Sequence, residues 1–227
     1  MSDPTTLTSG LVLALDAADS RGTVAVFRDG RCVANHAVAM RDSMHERLMP
    51  AVSNALRDAR AEAAQLSAVI CGAGPGSFTS LRIAAGIAKG ICFSAGLGLY
   101  SVPSLALLAA AAPAGSGEAL TPVLDAMRDE WYVANCRRTP SGEVSACEYL
   151  GVRSATALVE IAGRASSTVV GNEPDVAGRV RPRARHALDC LAVIKGPEPL
   201  EGWEPAYGRL AEVQVRWEAA HGRPLAP

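Results

Sequence analysis

One stretch leaves this chain few ways to fold: Val69-Ile70-Cys71-Gly72-Ala73-Gly74-Pro75-Gly76-Ser77-Phe78-Thr79-Ser80-Leu81-Arg82. A short apolar run breaks into a glycine-proline turn and restarts with helical spacing, the pattern of a strand, a tight corner and a helix. Gly72, Gly74 and Gly76 permit positive φ or the close approach of another backbone or a ligand, while Pro75 fixes one φ and removes a donor. Ser77 and Thr79 are candidate caps for the helix, whose first-turn N–H groups suit an anion. Two readings stand here. Gly74, Gly76 and Ser77 cradle a phosphate, or the corner is a packing turn that binds nothing.

The elements before the corner read as strands. Leu11 to Asp16 is an aliphatic run of buried-strand type, Gly22 to Phe27 is a second strand, and Arg31 to Val38 a third. Asp29-Gly30 between the last two predicts a type I′ hairpin, so the chain opens on a meander. From Ser43 the period changes: Met44, Leu48, Ala51, Val52, Ala55, Leu56 and Ala59 predict an amphipathic helix reaching Ala61. Pro50 inside it predicts a kink or a true start near Met49. After the corner, Thr79 to Ala95 is a helix apolar over more than one stripe, which requires cover on two sides. Leu97 to Val102 is a strand and Ser104 to Ala112 a short helix.

Pro113-Ala114-Gly115-Ser116-Gly117 is the expected domain boundary, dividing the chain into 1–112 and a smaller 118–227. The second half restarts with Thr121 to Asp125 and Trp131 to Cys136, again strand, Asp, turn, strand. Helices are expected at Ser154 to Gly163 and His186 to Ile194, a strand at Ser167 to Gly171, a loop at Lys195 to Pro199, and a closing helix over 207–220 that packs back on the first half.

With 227 residues, 49% of them hydrophobic, 20% charged and a formal net charge of −1, the chain carries no basic field to draw it onto nucleic acid or an anionic membrane. No apolar run reaches the roughly 18 residues a bilayer demands, and the N-terminus lacks the basic start of a signal peptide. The expectation is a cytoplasmic protein without a membrane. Its six cysteines show no Cys-x-x-Cys pair and are expected to be reduced.

The corner is neither a P-loop, since no Gly-Lys-Ser/Thr follows, nor a Rossmann fingerprint, since Ser77 stands at the third glycine. No Gly-x-Ser-x-Gly elbow is present. His45-Glu46 begins like a zincin helix, but Met49 takes the second ligand position, and no metal site is expected. Asp16 and Asp125 either hold a metal-phosphate group between two halves or cap their own turns. Arg179, Arg181, Arg183 and Arg185 form the one basic cluster, a solvated loop by default and an RNA-phosphate contact otherwise.

Gly74-Pro75-Gly76-Ser77-Phe78-Thr79-Ser80-Leu81-Arg82-Ile83, with Ala88-Lys89-Gly90, resembles the signature of the TsaB (YeaZ) family. His45 to Pro50, Val102 to Leu105, Asp125 to Tyr132 and Pro205 to Glu212 agree in the same order. Ser80 stands where a glycine is common, and Asp16-Ala17-Ala18-Asp19 lacks the glycine of active actin-like ATPases. The resemblance implies an α/β, actin-like (ASKHA, ribonuclease H-like) duplicated fold, two subdomains with mixed sheets flanked by helices. It implies a non-catalytic scaffold for making N6-threonylcarbamoyladenosine beside the tRNA anticodon.

In that family the transferase is the paralogue TsaD, whose two metal-binding histidines fall at Ser104 and Leu108 here. A hydroxyl and an isobutyl group cannot replace two imidazoles, so no catalytic residue is expected, and the older glycoprotease label finds no nucleophile. The implied partners are TsaD, then TsaE, with tRNA reached through the complex and a homodimer when TsaD is absent. The family pairs the helices at 44–61 and 79–95 with the same pair of its partner, and Leu48, Val52, Leu56, Leu81, Ile87 and Ile91 are the expected interface. Charging that seam at Val52 is expected to leave a folded monomer. No cofactor is expected beyond ATP or ADP shared with the partner. The alternative is a nucleotide-dependent phosphotransferase of the sugar-kinase and actin superfamily, using Asp16 and Asp125.

Overall fold

The computed structural model describes residues 5–40, 46–172, 180–208 and 221–222. After a one-turn helix, α1 (Thr5–Thr8), the chain forms β1 (Leu11–Asp16), β2 (Arg21–Arg28) and β3 (Arg31–Ala39). This is the expected antiparallel meander. Its second turn has φ of 49° at Asp29 and 77° at Gly30, the two positive values that a type I′ turn needs. Helix α2 (Leu48–Asp58) follows, then β4 (Leu66–Gly72), helix α3 (Phe78–Ala95), β5 (Gly98–Val102) and helix α4 (Ser104–Ala110). Pro50 sits in the first turn of α2, where its missing N–H costs nothing. The Glu46 carboxylate accepts from the N–H groups of Leu48 and Met49 just beside it. The part of that helix expected over 43–45 lies outside the described residues.

The second half contains β6 (Ala119–Asp125), β7 (Glu130–Arg138), β8 (Val144–Ser154), helix α5 (Ala155–Ala165) and β9 (Thr168–Val170). The first sheet runs β10-β5-β4-β1-β2-β3 and the second β8-β7-β6-β9, β10 being Lys195–Glu198. In each sheet an antiparallel meander leads with a strand that pairs in parallel with the first strand after a helix. That repeated order is the duplicated actin-like α/β fold.

Three stretches of the second half differ from expectation, the first being Val144–Ser154, a strand where none was expected. Lys195–Glu198, expected as a loop, pairs with β5 at the edge of the first sheet, where Pro197 need not donate to a further strand. Ala184–Val193 forms 3-10 turns instead of an α-helix, with non-helical dihedrals at Cys190. The expected closing helix lies outside the described residues apart from Tyr207 and Gly208.

The core has two main layers. On one face of the first sheet, Leu13, Leu15, Val24, Val26 and Val69 pack against α2 and α3. On the other, Val12, Ala14, Phe27, Ile70 and Val102 meet α4 and, beyond it, Leu120, Leu124, Tyr132 and Ala134 of the second sheet. All seven residues of α4 are buried, because a helix of serine, leucine and alanine presents no polar stripe and is sandwiched between two sheets. Arg138, itself buried, donates to the carbonyls of Ala112 at 2.6 Å and Pro113 at 3.0 Å. It thereby fixes the end of the first half against β7.

Candidate functional site

The glycine corner is filled by the protein's own chain. At Gly72 an added Cβ would overlap the Asp16 carboxylate. Gly74 has φ of 78° and lies against the Ala206 carbonyl, while Gly76 lies against the backbone of Ala18. The Ser77 N–H donates to the Ala18 carbonyl at 2.8 Å, and Ala206 N–H to the Ala73 carbonyl at 2.8 Å. Ser77 occupies the cap position without capping: no side-chain cap bond forms, and its Oγ donates to Ser80 Oγ at 3.0 Å. On the far side, Gly208 packs against Pro75, Tyr132 and Tyr149. The Tyr207 ring lies 4.4 Å from that of Phe78, over which Arg82 sits at 5.3 Å.

The two candidate carboxylates occupy unlike surroundings. Asp16 is fully buried. It accepts from Ser104 Oγ at 2.5 Å and from Ala18 N–H at 3.2 Å, and Ser104 Oγ in turn accepts from Gly74 N–H at 3.1 Å. Burial pushes the Asp16 carboxyl up to about 6, partly opposed by those two donors. Asp125 is exposed and accepts from Met127 N–H at 2.6 Å, two residues on. Each accepts an N–H two residues on within its own turn. The residues at this corner do not fit a nucleotide: the Ala18 carbonyl takes the helix-start N–H of Ser77, and the Asp16 oxygens are already occupied inside the core. Ser104 and Leu108 have no exposed surface. Among the described residues no group of three or more His, Cys, Asp or Glu is placed to hold a metal ion.

The helix pair corrects most of the expected interface. Leu48, Val52 and Leu56 are buried against the first sheet, and Leu81 packs in the layer beneath its other face. Their apolar period marks the stripe facing the molecule's interior. Val52 is 1% exposed, so a charge there enters the core and, against expectation, Val52→Glu does not leave a folded monomer. Ile87 and Ile91 remain partly exposed. With Met49, Gly86, Gly90 and Ser94 they line a groove of about 300 Å³ across the outer face of α2 and α3. A Cβ added at Gly86 or Gly90 would meet open space, and Phe93 stands 83% exposed on the last turns of α3. The sequence signal for this face was Gly86, Gly90 and Ser94 at spacings of four, one side of the helix stripped of side chains.

Arg181 is held by Asp19 and by Ser20 Oγ. Arg183 and Arg185 are exposed, and Arg185 Nε donates to His186 Nε2 at 3.2 Å. Arg179 lies outside the described residues. Six reduced cysteines were expected, but Cys136 and Cys147 are joined as a disulfide, leaving Cys32, Cys71, Cys92 and Cys190 free. No helix among the described residues is long and apolar enough to cross a membrane.

Fold and site together define a duplicated actin-like protein whose glycine corner serves its own packing and whose open feature is a helix-pair groove. Comparison with known proteins is specific. The family described as TsaD, tRNA N6-adenosine threonylcarbamoyltransferase, matches residues 38–147. The tRNA threonylcarbamoyladenosine biosynthesis protein TsaB of Bacillus subtilis strain 168 is 26% identical over 223 residues, covering 91% of this chain and 97% of that protein. Its Escherichia coli K12 namesake is 32% identical over 132 residues, 58% of this chain and 57% of that protein. A Pseudomonas aeruginosa crystal structure described as an uncharacterized protein similar to peptidase YEAZ superposes with a TM-score of 0.70 at 25% identity, covering 88% of this chain and 99% of that one. YeaZ from Pseudomonas aeruginosa gives a TM-score of 0.62 at 22% identity, covering 96% and 99%. Over most of its length the chain is similar to the TsaB (YeaZ) proteins.

Proposed function

We propose that this chain is the non-catalytic subunit that binds and activates the transferase TsaD in forming N6-threonylcarbamoyladenosine beside the tRNA anticodon. The observation that carries the reading is the groove on α2 and α3. It is apolar, open and glycine-floored, a shape that admits the side chains of a second helix pair at short range. TsaD is the occupant, a second copy of the chain takes its place when TsaD is absent, and TsaE and tRNA join through TsaD in the cytoplasm. The buried Ser104 and Leu108 support a chain without a metal site, and the filled glycine corner supports one that holds no nucleotide alone. Any ATP or ADP is shared with the partner. The competing phosphotransferase reading requires Asp16 to leave its bonds to Ser104 and Ala18.

Reconstitution of tRNA modification from purified TsaD, TsaE and substrates, with and without this chain, is the decisive experiment. Product is expected only when the chain is added, and the Ile87→Glu variant is expected to restore none because it no longer binds TsaD. Full modification without the chain, or magnesium-ATP turnover by the chain alone, would overturn the proposal.

A further inference from the structure

The disulfide lies where it governs a strand edge. Cys136 of β7 and Cys147 of β8 face each other in the antiparallel ladder, with Cα atoms 4.1 Å apart. The ladder is irregular on both sides of them, shifting register between Val133 and Ala134 and again between Arg137 and Arg138. Only the block from Ala134↔Tyr149 to Arg137↔Ala146 keeps step between those shifts, and the cysteine pair is inside it. Among the described residues strand β8 is the edge of its sheet, with no further strand beyond it to hold this block in place. The two sulfurs differ in access: Cys136 is 3% exposed, whereas Cys147 is half-buried. Among the remaining cysteines, Cys71, Cys92 and Cys190 are buried, and burial raises each thiol, Cys92 to about 11. They stay protonated and unreactive.

We propose that Cys136 and Cys147 form a reversible dithiol–disulfide couple whose closure pins the register of β8. The oxidant is a low-molecular-weight disulfide. Cys147, as its thiolate, attacks one sulfur of that disulfide and expels one small thiolate, leaving a mixed disulfide. Cys136, as its thiolate, then attacks the Cys147 sulfur and expels the second small thiolate. The two protein thiols are oxidised together, one small disulfide is reduced to two thiols, and the two protons given up by the cysteines end on those thiols. Reduction by excess small thiol runs the same steps backwards, again entering at the more accessible Cys147.

The full chain is equilibrated in glutathione buffers of stepped ratio, quenched in acid, alkylated under denaturing conditions and read by intact mass and peptide mapping. All six cysteines take label at the reducing end. At the oxidising end Cys136 and Cys147 lose label together in one transition with no added mass, the exposed Cys32 takes its own glutathione adduct, and the buried Cys71, Cys92 and Cys190 keep their label. Cys136→Ser is expected to stop at a glutathione adduct on Cys147, and Cys147→Ser to leave Cys136 labelled. Hydrogen exchange at Ala146 to Tyr149 is expected to slow on the order of tenfold in the oxidised wild type. Label kept by Cys136 and Cys147 at every ratio, loss of label at Cys71, Cys92 or Cys190, or exchange indifferent to redox state would each overturn the proposal. The wild-type titration alone suffices even where a variant folds poorly.

Discussion

Ser104 Oγ donates a 2.5 Å hydrogen bond to Asp16 Oδ1 across 88 positions of sequence, and the same oxygen accepts from Gly74 N–H. One hydroxyl thus ties the end of β1, the glycine corner and the start of α4. Replacing it by Ser104→Ala leaves a buried carboxyl oxygen and a buried N–H without that partner. A loss of about 2 kcal/mol in unfolding free energy is expected, read by denaturant titration. Tryptic cleavage at Arg82, the first basic residue after the corner, should quicken in parallel.

The Asp16 carboxyl makes the stability of the fold depend on pH. Its value rises from 3.8 to about 6 on folding because burial disfavours the charged form. The native state therefore binds the proton more tightly than the unfolded chain, and the stability this contributes is complete below pH 4 and lost as pH climbs through 6. The loss amounts to about 3 kcal/mol. Asp16→Asn removes the titrating group, so the difference in unfolding free energy between wild type and variant should shrink across that window and stay flat above it. A difference independent of pH would show that Asp16 ionises normally in the folded protein.

Gly76 faces the backbone of Ala18 so closely that a Cβ cannot be seated. Gly76→Ala should cost about 3 kcal/mol, because neither the Ala18 carbonyl nor the Ser77 N–H bonded to it can move without breaking the corner. A thermal melt shows it directly. A phosphate cradle would instead give an alanine variant of ordinary stability with a lost ligand.

The legible parts of this chain were those whose determinants are close in sequence. Leu11 to Asp16 reads as a strand from its own aliphatic run, and Asp29-Gly30 announces a hairpin because two adjacent residues carry the turn. Partners far apart in sequence were invisible: nothing near Asp16 shows that Ser104 will bury it, and Cys136 meets Cys147 only once the β7–β8 register is set. Lys195–Glu198 does not read as a strand because Gly196 and Pro197 oppose strand structure locally, while its pairing with β5 comes from the other half of the molecule. The helix seam failed for a different reason. Apolar periodicity reports the face turned inward, so it led to Leu48 and Val52, whereas the open face is marked by the missing side chains of Gly86 and Gly90.

That last distinction separates two kinds of helix variant. Val52→Glu puts a carboxylate into a position 1% exposed and should unfold the chain rather than merely part it from a partner. Gly90→Ala should do the reverse. Position 90 is inside α3, its Cβ would meet open space, and alanine is the better helix former by about 0.8 kcal/mol. The monomer should therefore melt at a higher temperature. Yet the added methyl stands in the groove that Ile87, Ile91 and Met49 line, where it holds off any helix that approaches over the glycines. Co-purification with TsaD, or self-association at matched concentration, should weaken although the subunit is more stable. A variant that is both more stable and equally well bound would mean that the partner does not seat on Gly90.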